Sequence, residues 1–98
     1  MYLTPHISEI KKLCEQNKVD KLYVFGSVLT DKFSKDSDVD FVVDIKDKDP
    51  ISYSDLYFDL KFGLEDLLNR PIDLLEERAI RNPYFRKRLD ETKQLIYG

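Results

Sequence analysis

Residues 38–45 alternate for most of their length between acidic and apolar side chains, and this pattern constrains the fold more than any other feature. Val39 and Phe41 take odd positions, whereas Asp38 and Asp40 take even ones. Successive side chains of a β-strand point to opposite faces of a sheet, so the pattern predicts a strand with one buried face. Two carboxylates two positions apart therefore share the other face.

A second apolar segment, residues 21–25, ends at Gly26, which is typical of a strand that stops at a sharp turn. Gly26 can adopt backbone angles closed to other residues and lets a ligand approach the main chain. Ser27 is a candidate cap for a short helix, whose unpaired N–H groups attract phosphate. The sequence thus predicts a phosphate-binding turn at Gly26 and Ser27, with ten residues between it and Asp38.

Neighbouring carboxylates on one strand face need a counter-charge. At an effective dielectric constant near ~20 and a separation of ~6 Å, two such charges repel by roughly 3 kcal/mol. A hard divalent cation removes that cost, and Mg²⁺ is typically held by one or two carboxylates together with substrate phosphates. Asp38 and Asp40 are therefore candidate ligands of a metal ion.

A third acid, Asp73, lies between apolar neighbours in residues 71–75, which read as another short strand. If this strand pairs with residues 38–45, three carboxylates converge on one or two metal ions. That arrangement suits in-line phosphoryl or nucleotidyl transfer. The alternative for Asp38 and Asp40 is an exposed strand edge with solvated carboxylates. The presence of both the Gly26-Ser27 turn and Asp73 argues against it, because three independent features would have to coincide.

Three longer helices complete the pattern. The first is expected from Pro5 to about Asn17, and the second begins near Pro50 with Ser52 or Ser54 as its cap. The third begins at Asn82 and Pro83, and one face of it carries Phe85, Leu89, Thr92 and Ile96. The order α-β-(short α)-β-α-β-α predicts an α/β (α+β) domain over residues 1–98, with a small mixed sheet of three to four strands and helices packed on it.

Composition excludes several classes of protein. With 42% hydrophobic and 36% charged residues, the chain is typical of a globular protein. No apolar run has transmembrane length and the first residues lack the features of a signal peptide, so we expect a cytoplasmic protein without membrane contact. The net charge of −3 disfavours nucleic acid as a partner. The basic residues between positions 78 and 93 leave a nucleic-acid-binding regulator as a weaker alternative.

Gly26 and Ser27, a ten-residue gap, Asp38 and Asp40, and a later Asp73 together resemble the DNA polymerase beta-like nucleotidyltransferase superfamily. The likeness is to its smallest members, the minimal nucleotidyltransferases. These include kanamycin nucleotidyltransferase-like domains and the antitoxins paired with HEPN-type toxins. The resemblance extends over nearly the whole chain, including residues 94–98.

The resemblance implies a role for each of these residues. Asp38 and Asp40 would ligate Mg²⁺, and Asp73 would ligate the catalytic ion and help deprotonate an acceptor hydroxyl. Gly26 and Ser27 would hold the triphosphate of the nucleotide, most simply ATP. The implied activity is transfer of AMP to a hydroxyl; the implied acceptor is a tyrosine of a cognate HEPN toxin, which would make the chain an antitoxin.

One segment departs from the family pattern. Many relatives carry an arginine directly after the Gly-Ser pair and a second glycine soon after, where this chain has Val28, Leu29, Thr30 and Asp31. The missing cation motivates an alternative, an antitoxin that neutralises its partner by occlusion without catalysis. Lys32 or Lys35 is a candidate source of the missing charge.

Overall fold

A computed structural model describes residues 1–98, which form four strands and three longer helices. In chain order these elements are α1 (Ile7–Gln16), β1 (Val19–Phe25), β2 (Val39–Ile45), α2 (Pro50–Leu68), β3 (Ile72–Glu76), α3 (Pro83–Thr92) and β4 (Gln94–Tyr97). Single 3₁₀ turns lie at Thr4–His6, Gly26–Leu29 and Glu77–Ala79. No helix has the length and apolar character that crossing a membrane would require.

The four strands form one mixed sheet in the order β3-β2-β1-β4. β1 pairs antiparallel with both β2 and β4, whereas β2 and β3 are parallel. The parallel pair needs a long crossover, and α2 provides it. The predicted mixed sheet with packed helices is therefore confirmed, with four strands.

The hydrophobic core lies between one face of the sheet and the helices α1 and α2. Val39, Phe41 and Val43 of β2 are fully buried in it, and Leu60 and Leu64 of α2 are fully buried against them. The alternation predicted for residues 38–45 is thus confirmed. The opposite face of β2 carries the remaining side chains of that strand.

Helix α2 begins and ends at residues suited to those positions. Asp49 precedes it, and its carboxylate accepts hydrogen bonds from the Ile51 amide and the Ser52 hydroxyl. The prediction of Ser52 or Ser54 as the cap was wrong, because the acidic residue before Pro50 reaches the free amide first. Asn69 ends the helix in a left-handed conformation, with φ of 52°.

Gly63 of α2 lies against α1. A Cβ atom at this position would be 2.8 Å from Cδ2 of Leu13. Glycine in a helix costs about 1 kcal/mol relative to alanine, and the close approach of the two helices accounts for its presence here.

Two predicted helical features take another form. The Gly26–Leu29 turn is a single 3₁₀ turn, and the Ser27 side chain does not cap it. The prediction that α3 extends to Ile96 was also wrong, because α3 ends at Thr92 and Ile96 belongs to β4. Lys93 is extended, and the following residues pair with the free edge of β1.

Helix α3 packs on the sheet face opposite α1 and α2. Leu89 is its one buried residue. The ring of Phe85 meets that of Phe25 edge-on at 6.0 Å, and the ammonium group of Lys93 lies 4.1 Å from the ring centre of Tyr23. Phe25 and Tyr23 pair with Asp40 and Val42, so these contacts lie on the carboxylate-bearing face.

Leu64→Ala should lower the free energy of unfolding by about 2–5 kcal/mol, because it removes a fully buried side chain and leaves a cavity. Phe62→Ala on the same helix is the control, because Phe62 is 54% exposed and its truncation should cost under about 1 kcal/mol. Urea denaturation of both variants measures the difference. Equal losses would contradict the assignment of the core.

Candidate active site

Asp40 and Asp73 stand side by side on neighbouring strands. The parallel register of β2 and β3 places their Cα atoms directly opposite each other. Because Val39 and Phe41 point into the core, Asp40 points to the opposite face of the sheet. Asp40 is half-buried there, and Asp73 is exposed. Two residues far apart in sequence thus form a carboxylate pair.

The surroundings of Asp40 disfavour its negative charge. Its pKa is raised above the usual range, first by burial and then by the nearby charges of Asp73 and Asp38. A cation between these carboxylates would oppose all three effects, because it supplies an opposite charge and replaces lost hydration. The donor set, all carboxylate oxygen, is the one that a hard divalent cation prefers.

Asp38 lies at the rim of this pair. It is exposed and occupies the last loop position before β2. The protein alone contains no group of three or more His, Cys, Asp or Glu side chains placed to hold a metal ion. The structure therefore brings two predicted acids together and leaves the third beside them. This arrangement fits an ion that also takes ligands from substrate phosphates.

Gly26, which directly follows β1, lies against the side chain of Asp40 on the neighbouring strand β2. It follows Phe25, whose partner in β2 is Asp40, and its φ of 82° lies in the region that favours glycine. A Cβ atom here would come closer than 3.0 Å to Oδ2 of Asp40. Any other residue at position 26 would therefore displace the carboxylate or distort the turn.

Ser27 presents a free hydroxyl next to Gly26. Its backbone carbonyl accepts hydrogen bonds from the amide and the hydroxyl of Thr30, which close the turn. Its own hydroxyl has no hydrogen-bond partner within the protein. Ser27 thus has a donor available for a ligand beside the carboxylates.

Arg70 holds the loop that leads to Asp38. Its Nη1 donates to the carbonyl of Ser37 at 2.7 Å and to that of Ser34 at 3.1 Å. The guanidinium also lies 4.6 Å from the ring centre of Tyr2 and 4.5 Å from that of Phe33. Sequence analysis gave Arg70 no role, because all of these partners lie far from it along the chain.

A cavity of about 660 Å³ opens beside Gly26. Gly26 is the one predicted site residue that lines it, and through Gly26 the cavity adjoins Asp40. The sheet and the segment of residues 26–30 supply one wall, and α3 supplies the other. The residues that line it are Phe25, Gly26, Leu29, Thr30, Phe85, Arg88, Leu89, Thr92 and Gln94.

The α3 wall of this cavity was missed as part of the site. Phe85, Arg88, Leu89 and Thr92 follow the spacing i, i+3, i+4 and i+7, so they form one face of the helix. Sequence analysis recognised the apolar members of this face. Arg88 could have indicated this wall from sequence, because it is a charged residue that the helical spacing places on the same face as Phe85 and Leu89.

Comparison with known proteins shows similar chains of similar length. A relative from Methanocaldococcus jannaschii, named "Putative protein adenylyltransferase", is 37% identical over 87 residues, which cover 89% of this chain and 84% of the relative. A second relative of that name and organism is 31% identical and covers 93% of this chain and 96% of its own length.

Solved structures show the same fold. A protein described as a "putative minimal nucleotidyltransferase" matches with a TM-score of 0.77 and 26% identity, over 94% of this chain and 90% of the other. A complex of a tri-AMPylated Shewanella oneidensis HEPN toxin with an MNT antitoxin matches with a TM-score of 0.67 and 23% identity, covering 100% and 73% of the two chains. These matches confirm the predicted nucleotidyltransferase fold.

The residue pattern of one enzyme family extends over nearly the whole chain. Residues 8–98 match the family described as "Polymerase beta, Nucleotidyltransferase", and that span includes the Gly26 turn and all three acids. The family resemblance inferred from these motifs is confirmed. The chain belongs to the polymerase beta nucleotidyltransferase family of enzymes.

Proposed function

We propose that this protein transfers AMP from MgATP to a hydroxyl group of a partner protein. The observation that carries the proposal is the register that sets Asp40 opposite Asp73, beside the Gly26 turn. A carboxylate pair next to a phosphate-binding turn suits nucleotidyl transfer, in which positioning and charge neutralisation lower most of the barrier.

Each acid has a distinct part in the proposed reaction. Asp38 and Asp40 would hold Mg²⁺, which when bound neutralises charge on the phosphates. Asp73 would contact the same ion and accept the proton of the acceptor hydroxyl. The hydroxyl oxygen then bonds to the α-phosphorus, the bond to the β-phosphate breaks, and pyrophosphate leaves with that electron pair.

The nucleotide would lie between the Gly26 turn and the cavity. Gly26 leaves its backbone open to a phosphate, and Ser27 adds an unpartnered hydroxyl. The apolar and aromatic lining of the cavity, which includes Phe25 and Phe85, suits the base and sugar. A related fold has been seen in a toxin–antitoxin complex with AMP-PNP, at 24% identity and a TM-score of 0.71.

A protein acceptor fits the position of Asp73. β3 is an edge strand of the sheet and Asp73 is exposed, so a second protein can approach this carboxylate from outside. The relatives named for protein adenylyltransferase activity and the fold neighbour in complex with an AMPylated HEPN toxin support the same choice. We propose that the acceptor is a tyrosine of a HEPN-type toxin in the cytoplasm and that this protein is its antitoxin.

ATP labelled on a single phosphate distinguishes AMP transfer, which moves the α-phosphate to the acceptor, from phosphorylation, which moves the γ-phosphate. The purified protein is mixed with its toxin partner, Mg²⁺ and ATP labelled on either the α- or the γ-phosphate. The proposal expects toxin labelled from α-labelled ATP alone, with release of pyrophosphate, and a modified tyrosine in the mass spectrum. A toxin that binds the protein yet takes no label from the α-phosphate would refute the proposed transfer.

The alternative is neutralisation by occlusion alone. Val28, in place of the arginine common after the Gly-Ser pair, is the observation that favours it. Against it stands the Asp40–Asp73 pair, whose mutual repulsion would serve no purpose in a protein that only binds. Substitution of these acids distinguishes the two functions.

Asp40→Asn and Asp73→Asn should each lower the rate of AMP transfer by at least about 100-fold, since each removes a charge that holds the ion or accepts the proton. Asp44→Asn is the matched control. Asp44 lies on the same strand face but pairs with Arg78 at 3.6 Å, an exposed contact worth under about 1 kcal/mol. Transfer by Asp44→Asn should remain within about twofold of the wild type.

The same variants test neutralisation of the toxin in cells. If the protein acts as an enzyme, Asp40→Asn should no longer protect cells from the toxin, although the complex still forms. If it acts by occlusion alone, the same variant should protect cells as well as the wild type does. Full protection by both Asn variants would favour the alternative function.

Asp40→Asn should also raise the melting temperature at pH 7 in the presence of EDTA. The folded-state pKa of Asp40 lies above its unfolded value, so folding is favoured below the unfolded pKa and that advantage is lost as the pH rises through the folded pKa. Asparagine does not ionise, so the difference between the proteins should vanish toward low pH. Calorimetry against pH measures it, and equal melting temperatures at pH 7 would contradict the electrostatic argument.

Arg70→Lys should slow AMP transfer by about tenfold, because lysine cannot reproduce the forked donors and the stacking that hold residues 34–37 before Asp38. Hydrogen exchange of residues 34–38 should become faster. Arg81→Lys, which alters an exposed arginine bonded to the carbonyl of Arg78, is the control. Unchanged exchange together with unchanged transfer would show that Arg70 does not position the loop.

A further inference from the structure

Arg88 is the one charged residue that lines the cavity beside Gly26. The other lining residues are apolar or carry neutral polar groups, among them Thr30, Thr92 and Gln94. Arg88 belongs to the face of α3 that carries the buried Leu89. The cavity therefore has a positive charge on the wall opposite the sheet.

The side chain of Arg88 has no partner within the protein, unlike those of Arg86, Lys93 and Arg78. Arg86 pairs with Glu77 at 2.6 Å, Lys93 pairs with Asp90 at 2.9 Å, and Arg78 donates to the carbonyl of Ile45 at 2.7 Å. The guanidinium of Arg88 forms neither an ion pair nor a hydrogen bond, and only the backbone carbonyl of this residue has a side-chain partner, the Thr92 hydroxyl. Its full set of guanidinium donors is free for a ligand in the cavity.

The proposed substrate requires such a group. A triphosphate beside Asp40 and Asp73 adds negative charge to a site that already carries it, and one ion bound by carboxylates does not balance the sum. Lys32 and Lys35, the candidates from sequence, are exposed like Arg88 but, unlike it, do not line the cavity. Position 28 is a buried valine.

A second groove of about 470 Å³ contains two cations, Lys48 and Arg78, and offers the main competing location for an anion. It is less suited, because Glu76 also lines it and Arg78 already contacts Asp44 and Ile45. It also adjoins the opposite end of β2 and β3 from Asp40 and Asp73. The charge in the Gly26 cavity is both free and next to the carboxylates.

We propose that Arg88 of α3 binds the triphosphate of the nucleotide and supplies the cation that the segment after Ser27 lacks. The inference rests on the proposed function and extends it to a third structural element. A guanidinium can donate two parallel hydrogen bonds to a phosphate, and such charge-assisted pairs are stronger than neutral ones. The nucleotide is thus held between the turn after β1 and helix α3.

Binding measurements with the full chain test the role of Arg88 apart from catalysis. MgATP and adenosine are each titrated into the wild type, Arg88→Gln and Lys87→Gln, with NMR shifts as the readout. Lys87 is the matched control, because it is the adjacent cation of α3, is exposed like Arg88, and does not line the cavity. Arg88→Gln should weaken MgATP binding about 10- to 100-fold and leave adenosine binding unchanged.

The control variant, the conservative variant and the wild type each give a result that supports or overturns the role of Arg88. Lys87→Gln should bind MgATP within about twofold of the wild type, and Arg88→Lys should recover part of the loss. Equal weakening of MgATP and adenosine by Arg88→Gln, or no weakening, would overturn the role of Arg88 while leaving the proposed function in place. A wild type that binds no MgATP would overturn both.

Discussion

The register of β2 between its two neighbours is the constraint on which the rest of the site depends. Hydrogen bonds along this strand place Asp40 opposite Phe25 on one side and opposite Asp73 on the other. A slip by one residue would turn Asp40 into the core and Val39 toward solvent, because side chains alternate along a strand. Burial of the apolar side chains of β2 therefore also fixes the position of the carboxylates, so that folding energy and the geometry of the site are linked.

Local pattern sufficed to predict β1, β2 and β3, because the period of two in β2 and the glycine at the end of β1 are short-range signals. The pairing of Asp73 with Asp40 could be stated only as a condition, since strand order is a property of the whole chain. The end of α3 was mistaken because Ile96 matches the helical spacing of Leu89. Only the unpaired edge of β1, a tertiary feature, makes an extended chain more favourable there.

Within the site, sequence analysis was more informative about acids than about cations. Asp40 and Asp73 stand out in sequence because carboxylates interrupt apolar strands, whereas Arg70 and Arg88 lie in polar segments where arginine is common. Their significance comes from contacts across 33 or more positions for Arg70 and from the docking of α3 for Arg88. Such contacts are set by packing, and no local spacing encodes them.

On one side of the cavity, Gly26 lies so close to the carboxylate of Asp40 that no further atom fits between the turn and the sheet. This close packing makes that side of the cavity rigid. The other side is attached more lightly. Helix α3 buries only Leu89 and is otherwise held by the edge contact of Phe85 and the ion pair of Arg86. Elements with few buried apolar contacts open at the lowest free energy. Of the two sides of the cavity, the side formed by α3 is therefore the one that separates from the sheet at the lower free energy.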